Sequence, residues 1–283
     1  MFSVPLWSAF TDTVTLNPIE QAEVVREHGL QALVLRNVWG RSVETLTDIE
    51  ASSISDRCAQ IGVSIHSLAT TLGSNSVDTS PEQDMERLTR ILDLAQRLGA
   101  EAIRIFSFLP PQGGKPASYM GASIARLKPL VALAQATGIK LLVENAPDTI
   151  GNIPSNIHTV VHALRNPWVQ TNWNTCHFVQ AGIAEHVIDY WLILARSCGH
   201  ITLTDALLWG HSACLPGDGD AQVPQMLMML RTHAASYGIT LDPCLPGEDG
   251  FALTLARVQQ CSLLQGVGAW KTAYGSHPLL EVN

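Results

Sequence analysis

The amino-acid sequence predicts a single α/β domain, a closed (β/α)8 barrel that extends over residues 1–283. Eight short apolar or β-branched runs alternate with longer segments of helical period along the whole chain. No linker or run of charge interrupts the series, and about 250 residues suffice for one such barrel. A doubly wound open sheet is the alternative, but the first strand-to-helix turn, Ser8 to Asp12, lacks the GxGxxG loop that binds phosphate in such sheets.

The eight predicted strands are short runs that are mostly apolar or β-branched. In chain order they are Ser3 to Ser8, Ala32 to Arg36, Val63 to Leu68, Ala102 to Phe106, Lys140 to Glu144, Val169 to Trp173, His200 to Thr204 and Ile239 to Asp242. In a barrel of this kind the functional groups lie at the carboxyl ends of the strands and in the loops that follow.

The helices are predicted from apolar residues that recur every three or four positions. The clearest runs from Pro81 to Leu98, with Pro81 in the first turn after Ser80. Several helices are predicted to end in a glycine that adopts a left-handed conformation before the next strand. These glycines are Gly29, Gly62, Gly99, Gly138 and Gly238.

The chain carries few charges, and their balance is acidic. The 17 Lys and Arg residues and the 25 Asp and Glu residues give a formal net charge of -8. Only 15% of residues are charged, whereas an average soluble protein has about 25%. Because nucleic-acid affinity is largely set by clustered Lys and Arg, we expect no nucleic-acid partner.

The sequence has the pattern of a cytoplasmic protein. Its first residues, MFSVPLWSAFTD, include no basic segment followed by a long apolar run, and no apolar stretch reaches the roughly 18 residues that span a bilayer. The six cysteines are scattered, without a CxxC pair. We therefore expect reduced thiols, no membrane partner and a small-molecule substrate, and the sequence leaves a homo-oligomer open.

Two acidic residues are predicted at the barrel mouth, the end at which the parallel strands terminate. Glu144 follows the apolar run Leu141 to Val143, and Asp242 ends the eighth strand. A carboxylate buried without a partner is costly, which favours a functional role for Glu144. Alternation turns Trp173 toward the helices and directs five polar side chains into the barrel. These are Asn172, Asn174, His200, Thr202 and Thr204.

Two basic side chains lie inside predicted strands. His66 on the third strand and Arg104 on the fourth are candidates for binding substrate hydroxyls, a carboxylate or a phosphate. The alternative for His66 is a hydrogen-bonded core histidine. The alternative for Arg104 is an ion pair with a core acid such as Glu144. A substrate contact is favoured for Arg104, because a buried guanidinium needs an anionic partner and a ligand at the mouth can supply one.

Tryptophan residues and an acidic loop supply further candidates. Trp7 and Trp39 follow or end the first two strands, where their rings would stack on a sugar; packing in the core is the alternative. Asp218 lies in the loop CLPGDGD after the seventh strand and is predicted to contact substrate. The alternative is ordinary turn chemistry, with Asp220 as the N-cap of a helix from Ala221 to Ser236.

Four short segments follow the fifth, sixth and seventh predicted strands in this order: VENAP, NTCHFVQAG, HITLTDA and PGDGD. Together with RIF at residues 104–106, they resemble the xylose isomerase-like TIM barrel superfamily. This group includes sugar phosphate isomerases and epimerases, inosose dehydratases, hydroxypyruvate isomerases and the apurinic endonucleases of AP endonuclease family 2. The resemblance covers nearly the whole chain, and its specificity comes from the order and spacing of the segments.

The resemblance implies a divalent metal held by a Glu after strand five, an Asp after strand six, a His on strand seven and a Glu after strand eight. Those places are taken here by Glu144, Asn174, Thr202 and Asp242, and the His three residues after the strand-six ligand is kept as His177. Each lost carboxylate removes a negative charge from the site. The implied metal site of Glu144, Asn174 and Asp242 is therefore degenerate, with weakly bound Mn²⁺ or Mg²⁺, or with no cofactor.

The leading hypothesis is an enzyme similar to sugar isomerases and epimerases, with dehydratase (lyase) chemistry as an open variant. It would move a proton next to the carbonyl of a small polyhydroxylated substrate in carbohydrate metabolism. Glu144 would be the principal acid/base and Asp242 its partner, while His177, Arg104 and His66 would bind substrate. The alternative is a metal-free barrel homologue that serves as a ligand-binding or structural protein. DNA repair is disfavoured by the ligand pattern and the charge.

Overall fold

A computed structural model describes residues 6–233 and 237–264. Its strands are β1 (Leu6–Ala9), β2 (Ala32–Leu35), β3 (Asn37–Val38), β4 (Arg41–Ser42), β5 (Ser64–Ala69), β6 (Ala102–Phe106), β7 (Lys140–Glu144), β8 (Val169–Asn174), β9 (Cys198–Leu203), β10 (Asp205–Ala206), β11 (Ala213–Cys214) and β12 (Gly238–Leu241). The eight longer strands form a closed parallel barrel in the order β1-β12-β9-β8-β7-β6-β5-β2, and β2 pairs with β1. The predicted (β/α)8 fold is confirmed.

The helices surround the barrel, and the short strand pairs β3-β4 and β10-β11 are hairpins beyond its rim. The helices are α1 (Pro18–Glu27), α2 (Asp48–Ile61), α3 (Pro81–Leu98), α4 (Met120–Thr137), α5 (Pro154–Leu164), α6 (Thr175–Gln180), α7 (His186–Leu194), α8 (Val223–His233) and α9 (Gly247–Leu264). None of the helices within the described ranges is both long and apolar enough to cross a bilayer.

The predicted bounds of several elements agree with the structure. Those of β6, β7 and α3 are the same, and the other barrel strands differ from prediction by one or two residues at their ends. Residues 3–5 of the first predicted strand lie outside the described residues. The described part forms one barrel, while the predicted domain limits of 1–283 stay a prediction.

Four of the five predicted glycine caps are left-handed, with φ between 69° and 83° at Gly29, Gly62, Gly99 and Gly138. The prediction for Gly238 is wrong, because this residue is the first of β12. A Cβ atom there would lie 2.4 Å from Nδ1 of His200. Gly238 therefore makes room for a histidine inside the barrel.

The main hydrophobic core lies between the barrel and the helices. Strand residues such as Leu33, Ile103 and Val143 face this layer and are fully buried. Trp173 also faces outward, as predicted, and its indole Nε1 donates to His186 Nδ1 of α7 at 3.1 Å. The alternate residues face the barrel interior, which is polar on β8, β9 and β12. This pattern places charged and polar side chains at the mouth.

Candidate active site

The C-terminal strand ends gather two groups of polar side chains at the mouth. The first, which we call the Glu144 cluster, comprises Arg104, Glu144, Asn172 and His177 from β6, β7, β8 and α6. The second, the Arg36 cluster, comprises Asp12, Arg36 and Asp242, which follow β1, β2 and β12. Since β9 separates the two clusters on one side of the barrel and β5 on the other, they face each other across the mouth.

Glu144 is buried at the end of β7, with 3% of its surface exposed. Its Oε2 accepts a hydrogen bond from Nδ2 of Asn172 at 2.6 Å, and its Oε1 lies 3.3 Å from NH1 of Arg104. Thr202 donates to Oδ1 of Asn172 at 3.2 Å and thereby orients that amide. A buried carboxylate with two donors on separate oxygens is held firmly, and its charge is compensated.

Arg104 reaches Glu144 from the neighbouring strand β6 and lies over the ring of Phe106, 4.6 Å from the ring centroid. The predicted ion pair with Glu144 is therefore present. Nε of Arg104 is buried, and no acceptor within the described ranges meets it. The guanidinium thus has donor capacity left over beside the carboxylate.

His177 lies in the first turn of α6, next to Glu144. Its Nδ1 is 2.8 Å from the carbonyl oxygen of Asn145 and 3.4 Å from Oε1 of Glu144. Because a carbonyl oxygen only accepts hydrogen bonds, Nδ1 carries a ring proton, and Nε2 is the nitrogen left for a ligand. The side chain is 26% exposed and can meet a ligand in the mouth.

Asn174, the predicted metal ligand on β8, has a local structural role. Its Oδ1 accepts from the backbone N–H of His177 and caps α6. Its backbone exchanges two hydrogen bonds with the side chain of Asn145, at 2.8 and 3.0 Å. An Asn at an N-cap satisfies helix donors that would otherwise lack partners.

Arg36 binds two carboxylates with the two edges of its guanidinium. Nε and NH2 donate to Asp12 at 2.9 and 2.8 Å, while NH1 and NH2 each lie 3.3 Å from an oxygen of Asp242. The guanidinium also lies over the Phe10 ring, 4.2 Å from its centroid. Burial disfavours the charge on Arg36, but the two carboxylates outweigh this and raise the pKa of Arg36.

Charged groups of both clusters shift the pKa of Asp242. Burial raises the pKa of Asp242 above its ordinary value, Arg36 opposes that shift, and the charge of Glu144 adds to it. Glu144 and Asp242, the two predicted catalytic acids, both lie at the mouth, and each has its own arginine.

His66 lies away from the mouth, contrary to the sequence expectation. Its Nε2 is 3.1 Å from Nδ1 of His200, and its charged neighbours are Glu101 and Lys140, at the start of β6 and β7. His66 therefore occupies the N-terminal part of the barrel interior. The structure matches the alternative prediction, a hydrogen-bonded core histidine. Sequence alternation shows which face of the strand a side chain is on, but it does not show how high in the barrel that side chain lies.

A chain of hydrogen bonds continues from this histidine pair. Nε2 of His200 is 2.5 Å from Oγ1 of Thr240, which is 2.7 Å from Oγ of Ser8. Burial lowers the pKa of both imidazoles, and each lies beside a ring that would repel a second positive charge. The interior below the mouth is therefore polar but uncharged.

Two further predicted residues do not join the mouth. Trp7 packs against the core on the side of β1 that faces the helices, since Ser8 occupies the interior face. Asp218 pairs with Arg257 of α9, so its charge is used outside the barrel. Trp39 lies in the β3-β4 hairpin on the rim, where 45% of its surface is exposed and Arg41 contacts its ring.

The acidic loop of residues 216–220 is organised by Asp205, at the start of β10. The buried carboxylate accepts from the backbone N–H groups of Gly217, Gly219 and Ala221 at 2.8 to 3.2 Å. The sequence suggested that Asp220 caps the next helix. Instead, its carboxylate accepts a hydrogen bond from the backbone N–H of Leu208. Turn chemistry therefore explains this loop.

The structure adds Asp12 and Arg36 to the site, and sequence reasoning did not single them out. Arg36 stands two residues after Val34, which faces the interior with Phe10 and Ala69. Side chains two residues apart on a strand share a face. When this alternation is continued past the end of β2, it predicts that the guanidinium of Arg36 points inward.

The fold and site define a (β/α)8 barrel with carboxylates and guanidinium groups at its mouth. A family model described as xylose isomerase-like TIM barrel matches residues 22–252. The chain belongs to this family. No curated protein matches the sequence.

Several solved structures share the fold. A probable 3-DHS dehydratase, AsbF, from Bacillus anthracis is 13% identical, with 91% of this chain and 98% of that chain covered and a TM-score of 0.71. A D-psicose 3-epimerase from Clostridium cellulolyticum H10, solved with D-tagatose, is 12% identical, with 91% and 96% covered and a TM-score of 0.67. The IOLI protein with a bound zinc atom is 15% identical, with 92% and 96% covered and a TM-score of 0.70.

The side chains at the implied metal positions do not fit a cation. Glu144 and Asp242 each face an arginine, the Asn174 amide oxygen caps a helix, and the Thr202 hydroxyl donates to Asn172. Within residues 6–233 and 237–264, no group of three or more His, Cys, Asp or Glu side chains is arranged to hold a metal. A cation would have to displace these protein donors.

Proposed function

We propose that the protein is an enzyme of the isomerase and epimerase type that moves a proton next to the carbonyl of a small polyhydroxylated substrate. The observation that carries this proposal is Glu144. It is a buried carboxylate at the barrel mouth, held by Asn172 and Arg104 and lying beside His177. Catalytic acids and bases of such barrels lie at this end of the strands.

In the proposed reaction, Glu144 takes a proton from the carbon next to the substrate carbonyl. The electron pair of the C–H bond forms a carbon–carbon double bond, and the π pair of the carbonyl moves to its oxygen, so the substrate becomes an enediolate. Return of a proton to either carbon, or to the opposite face, gives the isomer or epimer, and no other reactant is consumed. Nε2 of His177 is the acceptor that can exchange a proton with a substrate hydroxyl.

Two kinds of structural neighbour support this class of chemistry. One is a D-psicose 3-epimerase, and another is a probable 3-DHS dehydratase. Both names fit an enzyme that removes a proton next to a carbonyl, since a dehydratase would then expel a hydroxyl group from the neighbouring carbon. At 12% and 13% identity the neighbours support the reaction class and leave the substrate open.

The second candidate is a barrel that binds a sugar-like ligand without turnover. One observation favours it: the oxygens at the implied metal positions are already engaged by protein donors. A binding protein would saturate with a sugar and leave it unchanged. Exchange of the proton next to the sugar carbonyl with solvent distinguishes the two candidates, because only the enzyme would catalyse it.

The test is incubation with a panel of ketoses, aldoses and sugar-derived keto acids in D₂O, with and without Mn²⁺, followed by mass spectrometry. The enzyme should incorporate deuterium at the carbon next to the carbonyl. Glu144→Gln should lower the rate by about 10²- to 10⁴-fold. Glu101→Gln, the same change at the opposite end of the barrel, is the matched control and should keep the native rate. A Glu144→Gln variant with undiminished exchange would overturn the mechanism.

A further inference from the structure

We propose that Arg36 is the built-in cation of the mouth, standing in the place of a divalent metal, and that it binds the substrate oxygen on which negative charge develops. The statement that Arg36 binds a substrate oxygen rests on the proposed function. The statement that Arg36 takes the place of a metal ion does not. The implied strand-eight ligand, Asp242, is already bound by this guanidinium. A metal ion and Arg36 would compete for the same carboxylate.

The geometry of Arg36 is that of a shared cation. One edge of the guanidinium binds Asp12 and the other binds Asp242, through four N–O contacts of 2.8 to 3.3 Å. A divalent ion between two carboxylates would likewise be shared. Arginine suits this place because its planar fork binds carboxylates in pairs and keeps its charge at all ordinary pH values.

Several contacts hold this cation rigidly. Asn37 donates to Oδ2 of Asp12 at 2.7 Å, and Thr204 donates to the carbonyl oxygen of Asp242 at 2.7 Å. The Phe10 ring supports the flat face of Arg36. A positive group fixed in advance stabilises developing negative charge without reorganising during the reaction.

The charges of the mouth also fit this assignment. Arg36 and Arg104 together supply two positive charges, the same as one divalent ion. They face three carboxylates, those of Asp12, Asp242 and Glu144. A divalent ion added to this mouth would meet two guanidinium groups at close range, and its binding would be opposed.

Arg36 keeps a donor for a ligand. Its hydrogen bonds run from Nε and NH2 to Asp12 and from NH1 to Asp242, and NH2 also lies 3.3 Å from Oδ1 of Asp242. A guanidinium has five N–H donors, and within the described ranges only three of those on Arg36 make hydrogen bonds. The side chain is 28% exposed, so the guanidinium can meet a substrate oxygen.

The experiment measures the free Mn²⁺ signal by electron paramagnetic resonance. Native protein mixed with equimolar Mn²⁺ should leave the signal undiminished. Arg36→Met frees Asp12 and Asp242 and should take up one Mn²⁺ per chain, whereas the double variant Arg36→Met, Asp242→Asn should not. Stoichiometric uptake by native protein, or no uptake by a folded Arg36→Met variant, overturns the cation assignment.

A conservative variant keeps the proposal testable if Arg36→Met does not fold. Arg36→Lys retains the charge and loses the fork, so it should still exclude Mn²⁺. With an active substrate, it should lower kcat by about a hundredfold and change KM little. An unchanged kcat would overturn the substrate contact. A different result would refute the proposed function alone: the native protein excludes Mn²⁺, but Glu144→Gln exchanges deuterium at the native rate.

Discussion

In the Glu144 cluster, each oxygen of one carboxylate meets a different neighbour, whereas in the Arg36 cluster one guanidinium meets two carboxylates. The closest donor to Glu144 is the neutral amide of Asn172 at 2.6 Å, and Arg104 is farther away at 3.3 Å. Asp12, by contrast, receives two arginine N–H groups at 2.9 and 2.8 Å. The two sides of one mouth therefore differ in how strongly an arginine is engaged.

This difference separates the two predicted catalytic acids. A carboxylate bound mainly by a neutral amide can take up a proton while its arginine stays near. Protonation of Asp242 would weaken its bond to Arg36 and leave that guanidinium with Asp12 alone. Under the proposed function, proton transfer therefore falls to Glu144, while Asp242 holds Arg36. The predicted acid/base role of Asp242 stays a prediction that the variants below test.

The largest expected effect is the loss of stability in Arg36→Met. It leaves two carboxylates without their cation, one of them nearly buried, and should lower the free energy of unfolding by about 4 kcal/mol. Arg104→Met removes one long contact from a carboxylate that keeps Asn172, and should cost about 2 kcal/mol. Urea denaturation at neutral pH measures both values. Equal losses would remove the distinction between the two clusters.

A second change brings a like charge to Glu144. Asn172→Asp replaces the amide donor by a carboxylate at the same position, and should lower the free energy of unfolding by about 2 kcal/mol at neutral pH. The loss should shrink as the pH falls, since protonation of either carboxyl restores a donor. Thr202→Val, which removes the hydroxyl donor to Asn172, is the uncharged control, and its smaller loss should not depend on pH. A loss in Asn172→Asp that is constant with pH would contradict this account.

The sequence predicted the barrel and one side of its mouth because both depend on local pattern. Strand β7 and the acid at its end are read from five consecutive residues. The pair of Arg104 and Glu144 follows from neighbouring strands with inward alternation. The superfamily resemblance then added the strand-end positions to compare.

The other side of the mouth depends on how the barrel closes. Asp242 lies 206 residues from Arg36 in sequence, and they meet because β1 pairs with both β2 and β12. No local sequence pattern predicts that two residues so far apart in the chain come into contact. The height of His66 was missed for a related reason: the pairing of β2 with β5 shifts between Leu33 and Val34, so position along the strand does not give position along the barrel.

A third prediction contrasts the charged mouth with the uncharged interior. The pKa of His200 is lowered by burial, so below about pH 6.5 the unfolded chain binds a proton that the native state does not. Stability should therefore fall as the pH falls. Asp242 acts in the opposite sense, because its raised pKa lets the native state bind a proton more readily than the unfolded chain.

The variant that isolates the interior is His200→Gln. It should reduce the slope of the free energy of unfolding against pH by up to about 1.4 kcal/mol per unit, a limit reached about one unit below pH 6.5, where the unfolded histidine is almost fully protonated. Asp242→Asn should make the loss on acidification steeper, since the compensating proton uptake disappears. Urea titrations at several pH values between 4 and 7 measure both slopes. If His200→Gln leaves the slope as in the native protein, the interior histidine pair does not govern acid stability.

The smallest effect is expected outside the mouth, at Asp218→Asn. Asp218 pairs with Arg257 on the outer helix α9, and 48% of its side chain is exposed. Such a pair contributes about 0.5 kcal/mol, because water and salt screen it. The variant should therefore unfold within that margin of the native protein and keep the native KM for an active substrate. A KM raised tenfold would return Asp218 to the site, and the acidic loop would then belong to the mouth that Glu144 and Arg36 now define.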